Sequence, residues 1–531
     1  MSLIVKSISY IHPDRSRLFS KISFTVAQGQ KIALVGNNGV GKSTLLKMIA
    51  GTLRPSEGEI ILSGKPYYIP QHTGQFDYLT IAGALGVEKK LKALQAILRG
   101  EANFENLTVL DDDWDIEERC KAAFSLWGIS YLKPEQSMNL LSGGEKTKVF
   151  LSGISIYSPP LILLDEPSNH LDGESREILY GFIRKSKTTL LAVSHDRTLL
   201  DLFDVTLELT ADSIETYGGN YSFYKTAKEQ KLQALHNRLE AGETLLKKTR
   251  QKAREMTEQR QKLEVRGNKQ GEKKGLPKIV RGNLQRKAEQ STAHLKDTQN
   301  GKMEAVSESI RTIKEQIRKE ETLKITLSNP GLHKGKILVK GEGLMFSFGE
   351  QTLWKKPLDF MIWSGDRIRI EGRNGTGKTT LAKLLMKTLH PGSGNLFVAD
   401  FSSIYVDQDY SLLDHSLTVI EQVWKFNKRH LSESDLKMLL HRHQFTSETW
   451  TKKCGQLSGG EKMKLLFCCI TISDNIPEVI LLDEPTNNLD VASQEILTTA
   501  LKNFGGTLIF ISHDAYFVRE MNVQKRIVLD E

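Results

Sequence analysis

The sequence predicts an α/β protein in which two similar domains are joined by an antiparallel helical hairpin, and three observations lead to this prediction. A series of short motifs occurs once in each half of the 531-residue chain, in the same order. The motifs follow short apolar segments typical of buried strands. A charged stretch whose apolar residues have helical spacing separates the halves. We expect domains at residues 1–222 and 331–531 and a linker at residues 223–330.

Composition is that of an ordinary globular protein with a charged insert. Hydrophobic residues make up 39% of the sequence, which is ample for sizeable cores. No apolar run approaches the roughly 18 residues of a membrane span, and the N-terminus lacks a signal-peptide pattern. A cytoplasmic protein without a membrane partner is therefore expected. The four cysteines show no disulfide or zinc spacing, and Cys468 and Cys469 are predicted to be packing residues.

A phosphate-binding loop is predicted in the first half. The apolar segment Lys31–Val35 leads into a glycine-rich loop that is followed by helical spacing from Leu45 to Ile49. In this order, backbone N–H groups wrap the phosphates of ATP, Lys42 reaches the β/γ oxygens and the Ser43 hydroxyl coordinates Mg²⁺. The predicted nucleotide-binding residues are Gly36, Asn37, Asn38, Gly39, Val40, Gly41, Lys42, Ser43 and Thr44. ATP and Mg²⁺ are the expected cofactors.

Two adjacent carboxylates end another apolar segment, Leu161–Leu164. Beside a phosphate-binding loop, Asp165 can hold Mg²⁺ through water and Glu166 can polarise the attacking water as a general base. Alone, the same pair could simply end a strand. The loop upstream favours the catalytic interpretation.

The motif Leu141–Glu145 precedes a helix-like segment from Lys146 to Ile156. Together with the preceding motifs it resembles the signature of the ATP-binding cassette superfamily. This resemblance implies that the signature serves the nucleotide of the opposite cassette, because the positive end of its helix faces the γ-phosphate there. The residues concerned are Ser142, Gly143, Gly144 and Glu145.

The resemblance assigns further residues of the first half. Gln71 matches the residue that contacts Mg²⁺ and the attacking water, and Leu171–Asp172 matches the D-loop. His195, after the apolar segment Thr189–Val193, matches the switch histidine that senses the γ-phosphate. Tyr10 is a candidate to stack on adenine, with an ordinary strand residue as the alternative, and Phe348 is its candidate in the second half.

The second half repeats the complete series. Its nucleotide-binding candidates are Gly372, Arg373, Asn374, Gly375, Thr376, Gly377, Lys378, Thr379, Thr380, Gln408, Ser458, Gly459, Gly460 and Glu461. Mg²⁺ is assigned to Ser43, Gln71 and Asp165 in one half and to Thr379, Gln408 and Asp483 in the other. The catalytic candidates are Glu166, Glu484, His195 and His513. We expect two hydrolytic sites, each pairing the phosphate-binding loop of one cassette with the signature of the other.

The first half is longer than the second between two of the motifs. The equivalent residues Gln71 and Gln408 are 337 positions apart, but Ser142 and Ser458 are only 316 positions apart. The first half therefore has about 20 extra residues between its glutamine and its signature. We expect them within Gly86–Trp114, where they could form a protruding arm or a longer helical subdomain. The sequence favours neither alternative.

The linker has the spacing of a helical hairpin. Apolar residues fall on a 3,4-spaced seam from Leu232 to Leu263 and again from Met303 to Ile317. Glycines and a proline from Gly267 to Gly282 are expected to break the helices and form an irregular tip. Each arm would then contain about 35 to 40 residues and reach roughly 50 to 60 Å.

Positive charge is concentrated in this linker. Residues 225–324 carry 26 Lys and Arg against 14 Asp and Glu, a net charge of +12, whereas the whole chain has +9 and the remainder therefore −3. The predicted tip, residues 266–287, has eight cations and one anion. Charge runs are more often solvated faces, but a tip of one sign on a long arm favours a polyanionic partner.

Two complete cassettes joined by a basic hairpin resemble the ABC-F family. The segments that carry this resemblance are Asp165–Asp172, Asp483–Asp490 and Tyr217–Tyr224. The sequence differs from the usual family pattern at Ser168, where threonine is usual, and at Asn488, where histidine is usual. The resemblance implies a monomeric ATPase whose hairpin contacts ribosomal RNA and exit-site or peptidyl-site tRNA near the peptidyl-transferase centre. The predicted RNA contacts are Lys269, Lys273, Lys274, Lys278, Arg281, Arg286 and Lys287.

Other functions stay open at this point. A coiled-coil ATPase of DNA repair is one alternative, although in such proteins the coil interrupts one cassette instead of separating two. A motor subunit of a membrane transporter is another. Within the ABC-F interpretation, the sequence does not decide between a resistance factor that protects the ribosome from antibiotics and a general translation factor.

Overall fold

The computed structural model describes residues 2–273, 286, 297–298, 300–317, 325, 327, 330, 335–348, 351–373, 375–474, 477–487 and 489–529. The chain divides into two compact units. Residues 1–222 and 323–531 form one unit, and residues 223–322 form the other. Both repeated halves therefore belong to a single unit, and most of the charged linker is a unit of its own.

The first half contains a small antiparallel sheet, a larger sheet and a set of helices. Its strands are β1 (Leu3–Ile11), β2 (Arg17–Val26), β3 (Lys31–Val35), β4 (Glu57–Leu62), β5 (Tyr67–Ile69), β6 (Leu161–Asp165), β7 (Thr189–Val193), β8 (Val205–Leu209) and β9 (Ile214–Tyr217). Its helices are α1 (Lys42–Ile49), α2 (Ile81–Leu85), α3 (Glu88–Leu98), α4 (Phe104–Leu110), α5 (Ile116–Leu126), α6 (Gly143–Tyr157), α7 (Gly173–Lys185) and α8 (Arg197–Leu200). The sheet orders are β2-β1-β4 and β5-β6-β7-β3-β8-β9.

Three buried strands position the predicted motifs. All residues of β6 and β7 are buried, and so are four of the five residues of β3, because parallel strands at the centre of a sheet are covered on both faces. The strands pair in parallel, with Leu191 beside both Ile32 and Leu163. Their carboxyl ends lie at one edge, where the loops of an α/β sheet form its binding crevice.

The extra residues of the first half are helical. They form α3 and α4, which pack against each other, and α3 also contacts α5. Lys90 on α3 pairs with Asp113 at 2.8 Å and ties the insertion to the segment before α5. Of the two alternatives from the sequence, the longer helical subdomain describes this region.

The second half repeats the same architecture. Its strands are β10 (Ile337–Met345), β11 (Ser347–Phe348), β12 (Gln351–Thr352), β13 (Leu358–Trp363), β14 (Arg367–Glu371), β15 (Ser393–Val398), β16 (Ser403–Val406), β17 (Val479–Asp483), β18 (Thr507–Ile511) and β19 (Lys525–Val528). Its helices are α11 (Lys378–Leu385), α12 (Val419–Phe426), α13 (Glu433–Arg442), α14 (Gly459–Ile472), α15 (Val491–Lys502) and α16 (Ala515–Glu520). The larger sheets have the orders β13-β10-β15 and β16-β17-β18-β14-β19.

The linker unit contains two contacting helices. They are α9 (Tyr221–Lys273) and a helical segment at 300–317, called α10. Lys314 of α10 pairs with Glu243 of α9 at 2.7 Å. At Gly242 an added Cβ would lie only 3.2 Å from Cγ1 of Ile310, which is 8% exposed. Gly242, which lies within the predicted seam from Leu232 to Leu263, therefore permits a close approach of the two helices.

The expected end of the first arm was wrong. Helix α9 has 53 residues and continues through Gly267 and Gly271 to Lys273, well beyond the expected start of the tip at Arg266. A glycine costs a helix only about 1 kcal/mol relative to alanine and removes no hydrogen-bond donor. The surrounding lysine, glutamine, glutamate and arginine residues are good helix formers, so they outweigh this cost. At the helical rise, 53 residues correspond to about 80 Å.

The cysteines lie in the interior of the protein. All four cysteines are buried and free, and Cys468 and Cys469 have no exposed surface, as expected for packing residues. Within the part of the chain that the structure describes, no helix is both long and apolar enough to cross a membrane.

Candidate functional site

The first phosphate-binding loop connects β3 to α1. Its Gly41 has φ = 103°, and an added Cβ would lie 2.6 Å from Leu18 Cδ2, so only glycine fits. Lys42 is buried and its Nζ donates hydrogen bonds to the carbonyls of Gly36 at 2.7 Å and Asn37 at 3.1 Å. Burial lowers the pKa of Lys42. The loop thus presents a desolvated cation that a phosphate oxygen would stabilise.

The second loop has the same construction between β14 and α11. Its Gly377 has φ = 86°, and an added Cβ would lie 2.3 Å from Leu353 Cδ2. Lys378 Nζ donates to the carbonyls of Gly372 at 2.8 Å and Arg373 at 2.9 Å. Asn374 lies outside the described residues. Both halves therefore hold a buried lysine above a loop that tolerates only glycine at its helix start.

A hydroxyl and a carboxylate meet beside each loop. Ser43 Oγ donates to Asp165 Oδ1 at 2.9 Å, and Thr379 Oγ1 donates to Asp483 Oδ2 at 2.7 Å. Within the described residues no three His, Cys, Asp or Glu side chains form a metal cluster. One carboxylate and one hydroxyl are nevertheless a donor set suited to Mg²⁺, which takes its remaining ligands from water and ATP phosphates. These pairs fit the predicted Mg²⁺ positions.

Two tyrosines that the sequence analysis missed support these carboxylates. Tyr68 donates to Asp165 Oδ2 at 3.0 Å, and Tyr405 donates to Asp483 Oδ2 at 3.1 Å. Burial raises the pKa of both phenols, so they remain donors at neutral pH. Each tyrosine precedes the predicted glutamine by three residues, and this shared spacing is the signal that could have revealed them.

The carboxylate after each Mg²⁺ candidate has a strained backbone. Glu166 has φ = 52° and Glu484 has φ = 46°, in the left-handed region that L-residues rarely occupy. Their backbone N–H groups donate to Val193 O and Ile511 O at 2.8 and 2.9 Å. Strain at the same residue of both halves is expected where side-chain placement serves function.

Each of these glutamates faces a predicted switch histidine. Glu166 Oε1 lies 3.2 Å from His195 Nε2, and Glu484 Oε1 lies 3.5 Å from His513 Nε2. The backbone N–H of each histidine donates to the other carboxylate oxygen, at 3.1 Å in the first half and 3.3 Å in the second. The structure therefore brings all four catalytic candidates together in two matching pairs.

Burial sets the electrostatics of these pairs. It raises the pKa of Glu166 and of Glu484, lowers that of His195, and lowers that of His513 to about 4. The histidines are thus neutral at pH 7, while the carboxyls have a raised proton affinity. The Oε1 atoms of both glutamates are buried and accept no hydrogen bond from the described residues. A carboxylate of this kind is suited to accept a proton from a water molecule.

The site of the second half is completed by the first half. A cavity of 480 Å³ is lined by Lys378, Glu484 and His513 on one side and by the signature of the first half on the other. The predicted residues in its lining are Ser142, Gly143, Gly144, Gly375, Gly377, Lys378, Thr379, Thr380, Gln408, Asp483, Glu484 and His513. This is the cross-pairing that the sequence predicts. His170, Arg176, Leu353 and Asn487 also line the cavity and were not predicted.

The signature glutamates stabilise helix starts. Ser142 caps α6 by accepting from the backbone of Glu145, whose carboxylate accepts in return from the Ser142 backbone at 2.8 Å. Ser458 and Glu461 form the same capping box at α14. Glu145 also accepts from Tyr131 at 2.6 Å and is absent from the cavity lining. Its place in the structure is that of a capping residue, which keeps the helix N-terminus at the signature.

The site of the first half receives a contact from the second D-loop. Asp490 Oδ2 accepts from the backbone N–H of Asn38 in the first phosphate-binding loop at 3.1 Å. The charge of Asp490 also opposes the effect of burial on the pKa of Lys42 and of His195. Asp490 was recognised as part of a motif but not included among the predicted site residues.

The aromatic candidates for adenine stay predictions. Tyr10 pairs with Phe19 across β1 and β2, and its ring meets His12 edge-on with centroids 5.3 Å apart. Phe348 belongs to the short strand β11. Gln71 follows β5 as expected, at the same sheet edge as the other motifs.

Trp354 offers a test of how the second loop is supported. Its indole N–H donates to the carbonyl of Thr376 at 2.9 Å, and the side chain is 1% exposed. Phe19 is the buried aromatic beside Gly41 in the first half. Trp354→Phe keeps a buried aromatic ring but removes the hydrogen bond together with part of the ring volume. We expect ATP affinity at the second site to fall by about threefold to tenfold, corresponding to a lost hydrogen bond of roughly 1 kcal/mol.

Nucleotide titration of a Glu166→Gln, Glu484→Gln protein with and without Trp354→Phe measures this effect, because hydrolysis then does not consume the ligand. Phe19→Leu is the matched change beside the first loop and should leave the ATP affinity of the second site unchanged. Equal affinities with and without Trp354→Phe would show that the hydrogen bond does not support the loop.

Comparison with known proteins gives consistent matches over nearly the whole chain. The family model described as ABC transporter matches residues 19–169 and 355–487. The chain is 29% identical to ABC transporter F family member 5 of Arabidopsis thaliana, over 94% of this chain and 71% of the relative. It is 28% identical to the ribosome protection protein VmlR of Bacillus subtilis, over 98% of this chain and 86% of that protein.

Solved structures show the same fold. The archaeal ribosome recycling factor aABCE1, in complex with the ribosomal stalk protein aP1, superposes with a TM-score of 0.58 at 19% identity. The match covers 98% of this chain and 87% of the solved chain. At this identity the likeness supports the tandem arrangement of the fold.

Proposed function

The chain belongs to the ATP-binding cassette family as a member of its F branch and is an ATPase, and we propose that it acts on ribosomes in an ATP-dependent cycle. The observation that carries the proposal is the composite cavity of the second site. There the signature of one cassette and the phosphate-binding loop of the other line one space. ATP bound in that space would hold the cassettes together, and loss of the γ-phosphate would release them.

In this cycle the residues closest to the phosphates and the attacking water have defined roles. Lys42 and Lys378 bind the β/γ-phosphates, while Ser43 with Asp165 and Thr379 with Asp483 hold Mg²⁺, aided by Gln71 and Gln408. Glu166 and Glu484 accept the proton of the attacking water. His195 and His513, neutral at pH 7, orient that water and sense the γ-phosphate. The Mg²⁺ ion neutralises phosphate charge when it is bound.

The basic linker is the proposed RNA contact. Its net charge of +12 is matched to a polyanion, and cations that contact phosphates position a protein without reading sequence. Arg266 and Arg286 are exposed in the structure, and the backbones of Lys269 and Lys273 are helical. Lys274, Lys278, Arg281 and Lys287 lie outside the described residues. The names of two similar proteins, a ribosome protection protein and a ribosome recycling factor, support the ribosome as partner.

The proposal is tested by measuring which of several binding partners stimulates ATP hydrolysis. We expect purified ribosomes to stimulate phosphate release by this protein, whereas equal masses of duplex DNA or lipid vesicles should have little effect. The reason is that the hairpin is proposed to bind a structured RNA target and to favour the closed cassettes. Stimulation by DNA would instead support the repair-ATPase alternative, and stimulation by vesicles would support a transporter motor.

The consequence for translation is proposed in two forms. In both forms the hairpin lies near the peptidyl-transferase centre of the ribosome, where it would either displace antibiotics or adjust the peptidyl-site tRNA. Comparing cells with and without the protein across several peptidyl-transferase inhibitors separates these forms. Drug-specific protection supports a resistance factor, and an altered rate of protein synthesis without protection supports a translation factor.

A further inference from the structure

Arg176, in the first turn of α7, connects three loops at the contact between the cassettes. Its Nε donates to the carbonyl of Leu171 in its own D-loop at 3.1 Å. Its Nη1 donates to the carbonyl of His513 in the second half at 3.3 Å and lies 3.8 Å from Asp196 Oδ2. The side chain is only 11% exposed. A guanidinium with fixed partners on both cassettes is suited to hold them in one geometry.

The partner of Arg176 belongs to the machinery of the second site. The backbone N–H of His513 donates to Glu484 Oε2 at 3.3 Å, and its ring lies 3.5 Å from Glu484 Oε1. Arg176 binds the backbone carbonyl of His513. It therefore restrains the loop that places the backbone N–H and the ring of His513 beside Glu484. Arg176 also lines the second cavity, together with Glu484 and His513.

The second half has no equivalent arginine. Arg176 follows the D-loop residue Asp172 by four positions, and the residue four positions after Asp490 is Gln494. Gln494 is buried and donates to Thr486 of its own half at 3.3 Å. Its contact therefore stays inside one cassette, whereas that of Arg176 crosses to the other.

Neighbouring residues show the same one-sided pattern. Glu174, two positions before Arg176, pairs with Arg373 of the second phosphate-binding loop at 3.1 Å, and its counterpart is Ala492. Arg197 donates to Val491 O at 3.3 Å and its guanidinium lies 3.9 Å from the ring centroid of Tyr516, although its counterpart is an alanine. Glu174 and Arg197 thus reach the second half from positions whose counterparts there are alanines, and Arg176 contacts its switch loop at His513.

From this asymmetry we propose that Arg176 is a positioning residue for the second ATP site alone, where it couples the D-loop of the first cassette to the placement of His513 and Glu484. The two sites then hydrolyse ATP at different rates although their own motifs are equally complete. This inference rests on the proposed function, in which Glu166 and Glu484 act as general bases.

The test compares Arg176→Gln in proteins with one disabled site. Glutamine is the residue that the chain itself uses at the equivalent position. In a Glu166→Gln protein, where the second site turns over, Arg176→Gln should lower kcat about tenfold and leave KM for ATP within about twofold, because placement of reacting groups is impaired and not ATP binding. In a Glu484→Gln protein, kcat should change by less than about twofold.

Controls separate this role from a general brace of the interface. Glu177→Gln, on an exposed position of the same helical turn, should leave kcat of both proteins at the parental level. Equal losses in both single-site proteins, or no loss when only the second site turns over, would overturn the inference. If Glu166→Gln and Glu484→Gln each leave wild-type hydrolysis intact, the proposed general bases are wrong. In that case a fall in kcat by Arg176→Gln alone, with unchanged KM and melting temperature, still distinguishes a positioning role from a structural one.

Discussion

Replacing Glu166 and Glu484 together with glutamine is expected to lower ATP hydrolysis by roughly a hundredfold to ten-thousandfold, the usual contribution of a general base. Both carboxylates are buried beside a neutral histidine, and the Oε1 atom of each accepts no hydrogen bond from the described residues. Glutamine has the same shape, and its side-chain carbonyl can still accept the hydrogen bond from the backbone N–H of the histidine. It cannot, however, take a proton from water. Phosphate release under saturating ATP measures the loss.

ATP affinity is the companion measurement, since it should remain close to that of the unmodified protein. A matched control is the double change Glu101→Gln and Glu105→Gln, which removes two exposed carboxylates from the helical insertion without approaching either site. That control should hydrolyse ATP at the parental rate. Hydrolysis within tenfold of the parent in the Glu166 and Glu484 double variant would exclude these residues as the principal bases.

Neutralising Lys273, Lys274, Lys278 and Arg281 with glutamine is expected to weaken ribosome binding by tenfold or more and to flatten its salt dependence. Each cation that contacts a phosphate contributes about one unit to the slope of log K against log salt, so the slope should fall by up to about four. Hydrolysis without ribosomes should stay unchanged, because the site-forming residues belong to the other compact unit. Binding titrations at several salt concentrations measure both quantities.

The same loss of charge elsewhere provides the control. Lys89, Lys133, Lys185 and Lys187 are exposed on the first cassette, and replacing all four with glutamine changes the net charge equally. Ribosome binding by this variant should retain most of its salt dependence. If the hairpin changes leave both the ribosome affinity and its salt dependence unaffected, the alternative is supported that the linker is a solvated spacer.

Local patterns predicted the parts of the fold whose residues are close in sequence. The strands β3, β6 and β7 were expected because their apolar runs are short and end at functional motifs, and parallel strands covered on both faces require such runs. The glycine pattern did not predict the length of α9, because a helix tolerates single glycines such as Gly267 and Gly271 among strong helix formers.

Contacts between distant residues could not be predicted in the same way. The hydrogen bonds of Tyr68 to Asp165 and of Arg176 to His513 join residues 97 and 337 positions apart. Such pairs depend on how strands and cassettes assemble, and a single sequence does not record that assembly. The Glu166 side chain was predicted for its chemistry, whereas its left-handed backbone required the structure.

The most direct test of the account is cosedimentation of the Glu166→Gln, Glu484→Gln protein with ribosomes. With hydrolysis blocked, ATP should hold the cassettes closed, so the variant should pellet with ribosomes in ATP and remain in the supernatant in ADP. The hairpin-neutralised form of the same variant should pellet less. A Glu166→Gln, Glu484→Gln protein that binds ATP but sediments free of ribosomes in both nucleotides would contradict the proposed cycle.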